Sequence, residues 1–546
     1  MKFKAPPAEA PSAPPEPRAR SGRGRKAVAL ELVREIFARM RPLPDRASGT
    51  YHERRAARLL LEQAEARFAP RFRVSHQGFA VDLSSGAANI AAHGVIFVAF
   101  AVLPTLVGLG RVWLGEYGPA AELASHPALA RFGAFMIPKA SLAVSALGAL
   151  ALFVARFLPG ATGWSVFSFI APNLESGNVL VDELPEVPRP NRDEAGDGPF
   201  DVEAAWWKER FRLACGAAPS DPPGSNPLGR RLAVLAAHYD SARALPEAPA
   251  LMGSGTLTSI LKAGFAIIPA ASYLGCALAL GGVLALAEWA APDAGATIAG
   301  AVGLGALWLV GLLFAATEMA KALESSNLPY VQGYNDNLSG VAAAFACLDD
   351  LAGTGERRPD APLLMMVLTG SEENGLHGSI AFAKRVLVHA VERFGAAKVE
   401  VWNFESVSGE RLRVCDGERT FSGLTRRGAA GMLEAYARSL DPSASPGPKD
   451  APIYSGAPEL EPGWSFPLEV SREPMAACTD LTGFTAPRSL RKRLRILTFS
   501  SPWAKDSLER PRDYHRLEDD AESAEGYTDS IAAAALLVAD AVRSGL

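Results

Sequence analysis

Cysteine is scarce. The chain of 546 residues has five, at Cys215, Cys276, Cys347, Cys415 and Cys478, with no CxxC and no paired spacing. That argues against a disulfide framework or a cysteine-bound zinc, and it fits a reducing compartment. An excess of one charge is lacking too. Lys and Arg number 55 against 59 Asp and Glu, for a net charge of -4, and the signs are interspersed, so nothing calls for nucleic acid as a partner. Residues 1–26 are rich in Pro, Ala and Arg and hold no apolar core segment. They read as a disordered basic arm rather than a signal peptide.

Long hydrophobic runs, by contrast, are present. Leu83 to Gly110 contains no Asp, Glu, Lys or Arg, and such a run exceeds the roughly 20 residues a bilayer span needs. Phe132 to Ala155 is a second, interrupted by Lys139. Ala263 to Ala287 and Ala294 to Thr317 form another pair around Glu288 and Asp293. These pairs predict two membrane hairpins, inserts over 83–159 and 251–325, and a multi-pass protein with about four spans and the lipid bilayer as a partner.

The remaining sequence, 27–82, 160–250 and 326–546, predicts one α/β domain. Ala27 to Met40 and Tyr51 to Phe68 have helical apolar spacing. Short apolar strands such as Arg231–Ala237 and Leu363–Leu368 alternate with helical segments such as Ser339–Leu351 and Ser379–Phe394. The pattern predicts a doubly wound, mainly parallel central sheet with helices on both faces, whose chemistry sits at the carboxyl ends of the strands.

Five polar motifs fall at such ends: Ala237-His238-Tyr239-Asp240-Ser241, Gly333-Tyr334-Asn335-Asp336-Asn337-Leu338-Ser339-Gly340, Thr369-Gly370-Ser371-Glu372-Glu373, Trp402-Asn403-Phe404-Glu405, and Asp513-Tyr514-His515 with Asp519 beyond it. Singly, each is unremarkable, since a histidine after a strand or an Asp-Asn before a helix is usually structural. Together they supply histidines and carboxylates, the ligand types that suit zinc.

The ordered set resembles the zinc exopeptidases that include leucyl aminopeptidases, glutamate carboxypeptidase and glutaminyl cyclase, the twenty-eighth metallopeptidase family. The resemblance covers roughly Ala27 to Leu546 outside the two inserts. It implies two zinc ions, or one as in the cyclase branch. His238, Asp336 and Glu405 would hold the first and Asp336, Glu373 and His515 the second. It further implies Glu372 as general base, Tyr514 as an oxyanion donor, and Asp240 and Asp519 as carboxylates supporting the ligands. A cis peptide is implied at Asp336–Asn337. The family usually has Asp where Glu405 stands, and the extra methylene displaces the carboxylate by roughly one C–C bond length.

The expected function is therefore a membrane-anchored zinc aminopeptidase acting on a peptide or aminoacyl substrate. The alternatives are a single-zinc aminoacyl cyclase or amidohydrolase, and a catalytically silent binding scaffold. The basic arm and the acidic tip of the second hairpin place the catalytic domain on the cytoplasmic side. Side-chain preference, oligomeric state and the stretch 441–479 carry no readable pattern.

Overall fold

The computed structural model describes residues 24–82, 173–190, 199–244, 329–353, 361–419, 425–444, 451–475, 479–502 and 515–546. Helix α1 (Arg25–Met40) buries Ala29, Leu32, Val33, Ile36, Phe37 and Met40, the three- and four-residue spacing that puts apolar groups on one face. Helix α2 (Tyr51–Phe68) starts at Thr50, whose side chain accepts from the Glu53 N–H. Strands β1 (Arg73–Asp82) and β2 (Asn173–Asp182) pair antiparallel from Arg73↔Asp182 to Asp82↔Asn173. Helix α3 (Pro199–Ala214) leads to β3 (Leu232–His238).

The second half begins with a π-helical turn at Tyr334–Leu338, followed by α4 (Ser339–Ala352) and β4 (Leu363–Thr369). Helices α5 (His377–Phe382) and α6 (Val388–Phe394) flank another π turn before β5 (Val399–Glu405). Short strands follow: β6 (Leu412–Cys415), β7 (Gly417–Arg419) and β8 (Thr425–Arg427). Beyond α7 (Met432–Leu440) come β9 (Tyr454–Gly456), β10 (Glu459–Glu461), β11 (Trp464–Ser465) and β12 (Leu468–Val470). The chain closes with α8 (Asp480–Phe484), β13 (Arg495–Ser500), α9 (Ala521–Glu525) and α10 (Thr528–Ser544).

Nine strands form one sheet in the order β1-β2-β4-β3-β5-β13-β6-β12-β9. Its centre, β4-β3-β5-β13, is parallel, so His238, Thr369, Glu405 and Ser500 all end at the same edge. Strand β3 has no charge before His238, and its side chains alternate between two cores. Ala233, Leu235 and Ala237 join Ile36, Leu60, Phe345 and Val538 from α1, α2, α4 and α10. Leu232, Val234 and Ala236 join Trp207, Phe382, Phe394 and Phe484 from α3, α5, α6 and α8. A period-two strand covered on both faces needs apolar residues at every position.

Against the second core lies a fully buried ion pair. The Arg210 guanidinium donates to both oxygens of Asp182 and to the carbonyls of Pro185 and Leu184. Burial pushes the Asp182 carboxyl up, and Arg210 works against that. Arg210→Met leaves a buried carboxylate uncompensated and is expected to cost about 3–5 kcal/mol. Denaturant unfolding of the two proteins checks it, and a loss under about 1 kcal/mol would contradict this account.

Two expectations are corrected. The sheet is mixed rather than mainly parallel, because antiparallel pairs occur on both flanks: β1/β2 and β2/β4 on one side, and β13/β6 and β12/β9 on the other, where β6/β12 is parallel. The multi-pass membrane protein with about four spans, its transmembrane helices and its cytoplasmic-side placement are not supported either. No helix among the described residues is long and apolar enough to cross a membrane. The apolar alanine-rich helices found there, α4 and α10, have 14 and 17 residues and pack on the sheet. The four hydrophobic runs of the two hairpins, and residues 1–23 of the basic arm, lie outside the described residues. The residues flanking both stretches are paired. The β1–β2 ladder holds together the ends of 83–172. Across 245–328, Val331 N–H donates to Ala242 O and Ala244 N–H to Pro329 O, with Arg243 paired to Tyr330 and stacked on its ring at 4.3 Å.

Candidate metal centre

His238 ends β3 opposite Thr369 and is 1% exposed. Its ring Nε2 lies 3.2 Å from Asp336 Oδ1 and 3.5 Å from Glu405 Oε1. On the other side of Asp336, Oδ2 lies 3.3 Å from His515 Nε2, which is 3.2 Å from Glu373 Oε1. One carboxylate thus faces two imidazole–carboxylate pairs, one through each oxygen. A looser set, His238, Asp336 and Glu373, also offers three ligand atoms within 4.8 Å of one another.

These residues fit a bound metal. Asp336 Oδ1 and Glu405 Oε2 are buried with no hydrogen-bond partner among the described residues, a costly arrangement unless a cation takes their place in the accounting. Ligand atoms on a tetrahedral zinc with bonds of about 2.0–2.1 Å stand about 3.3 Å apart, and the four separations above bracket that value. Glu405 reaches His238 despite its extra methylene, so the departure from Asp does not remove it from the cluster.

Local backbone chemistry holds the parts. Asp336 lies in the π turn that opens α4, and its peptide bond to Asn337 is cis. Asp519 accepts from the N–H of Asn335 at 2.5 Å and of Asp336 at 3.0 Å. The Asn337 amide donates to Phe404 O and accepts from Ser406 and Gly340 N–H, which ties the Asp336 turn to the end of β5 beside Glu405. A Cβ on Gly340 would stand 2.3 Å from Asn337 Oδ1 and 2.5 Å from Phe404 O, so this crossing needs glycine.

The Glu372–Glu373 turn hangs on two other carboxylates. Asp240 Oδ1 accepts from Glu372 N–H at 3.0 Å and Oδ2 from Glu373 N–H at 3.1 Å and from the Ser48 hydroxyl at 2.7 Å. The His238 Nδ1 stands 3.5 Å from the same Asp240, so Asp240 faces both the ring and the turn. Preceding them, Ser371 has a φ of 52°, and its N–H and hydroxyl donate to Glu53 at 2.9 and 3.0 Å.

Charge follows burial. The Glu372 carboxyl is pushed well up by burial and by the charges of Glu373 and Glu405, with His238 opposing. Burial also raises Glu405, to about 8, and Glu373. Asp336 is the exception: burial pushes it up, but the two imidazoles outweigh that and hold it well below the usual range.

The structure therefore brings together His238, Asp240, Asp336, Glu372, Glu373, Glu405, His515 and Asp519. Tyr514 lies outside the described residues. Three participants carried no sequence signal. Arg46 is buried and donates to Tyr239 O at 2.6 Å, to Gly333 O at 2.7 Å and to Gln332 O, clipping the His238 loop to the Asp336 turn. Asp480, at the start of α8, accepts from the Thr369 hydroxyl at 2.5 Å. Glu53 belongs to α2. A cavity of about 980 Å³ lined by Arg54, Arg58, His76, Ser176, Tyr239 and Arg385 among others lies behind this turn, and none of the candidate ligands lines it.

No family model matches the chain, and no curated protein matches it. Solved structures do resemble it. A zinc aminopeptidase from Bacillus subtilis shares 12% identity over 68% of this chain and 51% of that one, with a TM-score of 0.32. An aminopeptidase from Aneurinibacillus sp. strain AM-1 shares 10% over 94% and 93%, with a TM-score of 0.37. The LapA aminopeptidase of Legionella pneumophila shares 9% over 100% and 81%, with a TM-score of 0.38. The chain spans about half the length of the Bacillus subtilis structure it matches. At such identities these are likenesses, and the functional argument rests on the side chains.

Proposed function

We propose that the protein is a zinc metallopeptidase, acting as an aminopeptidase. The observation that carries this reading is Asp336, with one oxygen 3.2 Å from His238 and the other 3.3 Å from His515, beside a buried Glu372 that stands outside all four ligand contacts. His238, Asp336 and Glu405 would hold one ion, and Asp336, Glu373 and His515 a second. Bound there, zinc would supply a water of lowered pKa and a Lewis acid for the scissile carbonyl.

The chain's own groups do the rest. Glu372, raised by burial, takes the proton of the attacking water and returns it to the leaving amine, the work of a general base. Asp240 holds the Glu372 and Glu373 N–H groups, so the two side chains keep separate tasks. Glu373 and His515, 12% and 13% exposed against 1% for His238, mark the open side from which substrate enters.

The test is hydrolysis of a panel of aminoacyl amides by purified protein, before and after chelation and with zinc restored. Turnover that chelation removes and zinc returns supports the reading, whereas turnover insensitive to chelation sinks it. A one-ion aminoacyl cyclase or amidohydrolase is the second reading, favoured by the three-atom set of His238, Asp336 and Glu373. Metal content per chain separates the two.

Metal uptake carries a pH signature. In the metal-free protein burial pushes the His515 ring down, but Glu373 and Asp336 outweigh it and hold the ring at about 10. His238 is likewise held well above its ordinary value, against burial, by Glu372 and Glu405. The His515 ring is thus protonated near neutral pH and must lose a proton to ligate, and the upward shift of His238 acts in the same direction. Apparent zinc affinity should rise with pH across this range, with protons released on binding. Calorimetry in two buffers of different ionisation enthalpy measures the release, and none at pH 7 would contradict the assignment.

A further inference from the structure

We propose that Glu53 is a positioning residue for the reaction, setting the aim of Glu372 by anchoring Ser371. This rests on the peptidase reading above. Thr-x-x-Glu at Thr50–Glu53 has the form of a capping box, in which the glutamate reaches back to the N-cap N–H. Here the Thr50 N–H is taken by Ala47 O, and the Glu53 side chain turns inward, fully buried. One of its oxygens accepts from Ser371 N–H, the Ser371 hydroxyl and the Ser176 hydroxyl at 2.9, 3.0 and 2.7 Å. The other accepts from Gly49 N–H at 2.6 Å. Four donors converge on a carboxylate, which offers acceptors only.

The location gives this its consequence. The N–H groups of three consecutive residues, Ser371, Glu372 and Glu373, point at two carboxylates, Glu53 for the first and Asp240 for the next two. Consecutive N–H groups arranged this way form an anion-binding concavity. Ser371 sits at a φ of 52°, a region non-glycine residues rarely adopt; Glu53 holds its N–H there, while its carbonyl accepts from His377 N–H at 3.0 Å. Released from Glu53, Ser371 can return to an ordinary φ, which rotates the peptide leading into Glu372. Asp240 meets the turn from the His238 side and cannot fix that first peptide.

The experiment uses the full chain, loaded with zinc, and an aminoacyl amide that the wild type cleaves. Glu53→Gln keeps the shape but sets an amide N–H₂ against a donor. It is expected to lower kcat at least tenfold, with KM within threefold and zinc content unchanged. Ser371→Gly makes the left-handed φ accessible without an anchor, so in that background Glu53→Gln should cost less than half as much on a logarithmic scale. A structural brace alone would give the same loss in both backgrounds, and that result overturns the proposal, as does an unchanged kcat. Should Glu53→Gln not fold, Glu53→Asp, which keeps the charge but shortens the reach, takes its place with the same expectations. Absence of wild-type hydrolysis overturns the peptidase reading and this role together, while wild-type hydrolysis with an indifferent Glu53 overturns only the latter.

Discussion

Glu372→Gln is expected to lower kcat by about 10²–10⁴-fold, the range a positioned general base contributes, while zinc content and KM stay near wild type. The basis is a division of labour among four carboxylates packed into one site. Asp336, Glu373 and Glu405 each lie within 3.5 Å of an imidazole nitrogen. Glu372 does not, although it is only 7% exposed. Gln occupies the same volume and can accept a hydrogen bond, but it cannot take a proton at neutral pH, so the substitution removes the one function assigned. Steady-state kinetics beside metal analysis is the measurement. Activity within about threefold of wild type would remove Glu372 as the base, and a parallel loss of zinc would make it a ligand instead.

The second large effect concerns Asp336. Zinc at about a thousand times its dissociation constant should stabilise the wild type by about 4 kcal/mol, visible as a rise in Tm on reloading the chelated protein. In Asp336→Asn that rise should nearly vanish. Both triads share this side chain, and an amide offers one weaker acceptor where two anionic oxygens stood. Neighbouring ligands cannot compensate, because Glu405 and Glu373 meet different imidazoles. A thermal scan with and without zinc decides the point. An increment equal to that of wild type would mean that the ion sits elsewhere.

Much of this centre was legible in the sequence for a physical reason. A parallel strand buried on both faces must be apolar throughout, so the first polar residue after it marks the sheet edge where ligands gather. His238 ends such a strand and Glu372 follows Thr369 by three residues, whereas Glu405 ends a strand that already carries buried Glu400 and Asn403 and is marked by its motif alone. The carboxylates and imidazoles assigned by motif do meet in space, although nearly the whole second half of the chain separates His238 from His515. Arg46 and Glu53 could not be read that way. Each is a single charged residue among helical or capping patterns whose ordinary place is the surface, and only tertiary contacts reveal that they turn inward. Asp480 follows a stretch without period, and its role depends on β4 passing beside it. The antiparallel flanks were also hidden: β9 and β12 have three residues each, too few for alternation to register. The four hydrophobic runs, long and apolar enough by sequence alone to suggest membrane spans, lie outside the described residues. No described helix meets that standard.

The paired ends of the inserts bear on how such a chain can change. Closing a loop costs free energy that grows only with the logarithm of its length, about 0.6 kcal/mol per doubling. A flexible connection of about 90 residues in place of a tight turn of about ten would therefore add roughly 2 kcal/mol, less than removing Arg210 is expected to cost. At each of the two places the flanking chain is zipped by backbone pairing, in one case only a few residues from Asp240 and Asp336. A chain trimmed at both bases is therefore expected to assemble the same cluster of imidazoles and carboxylates.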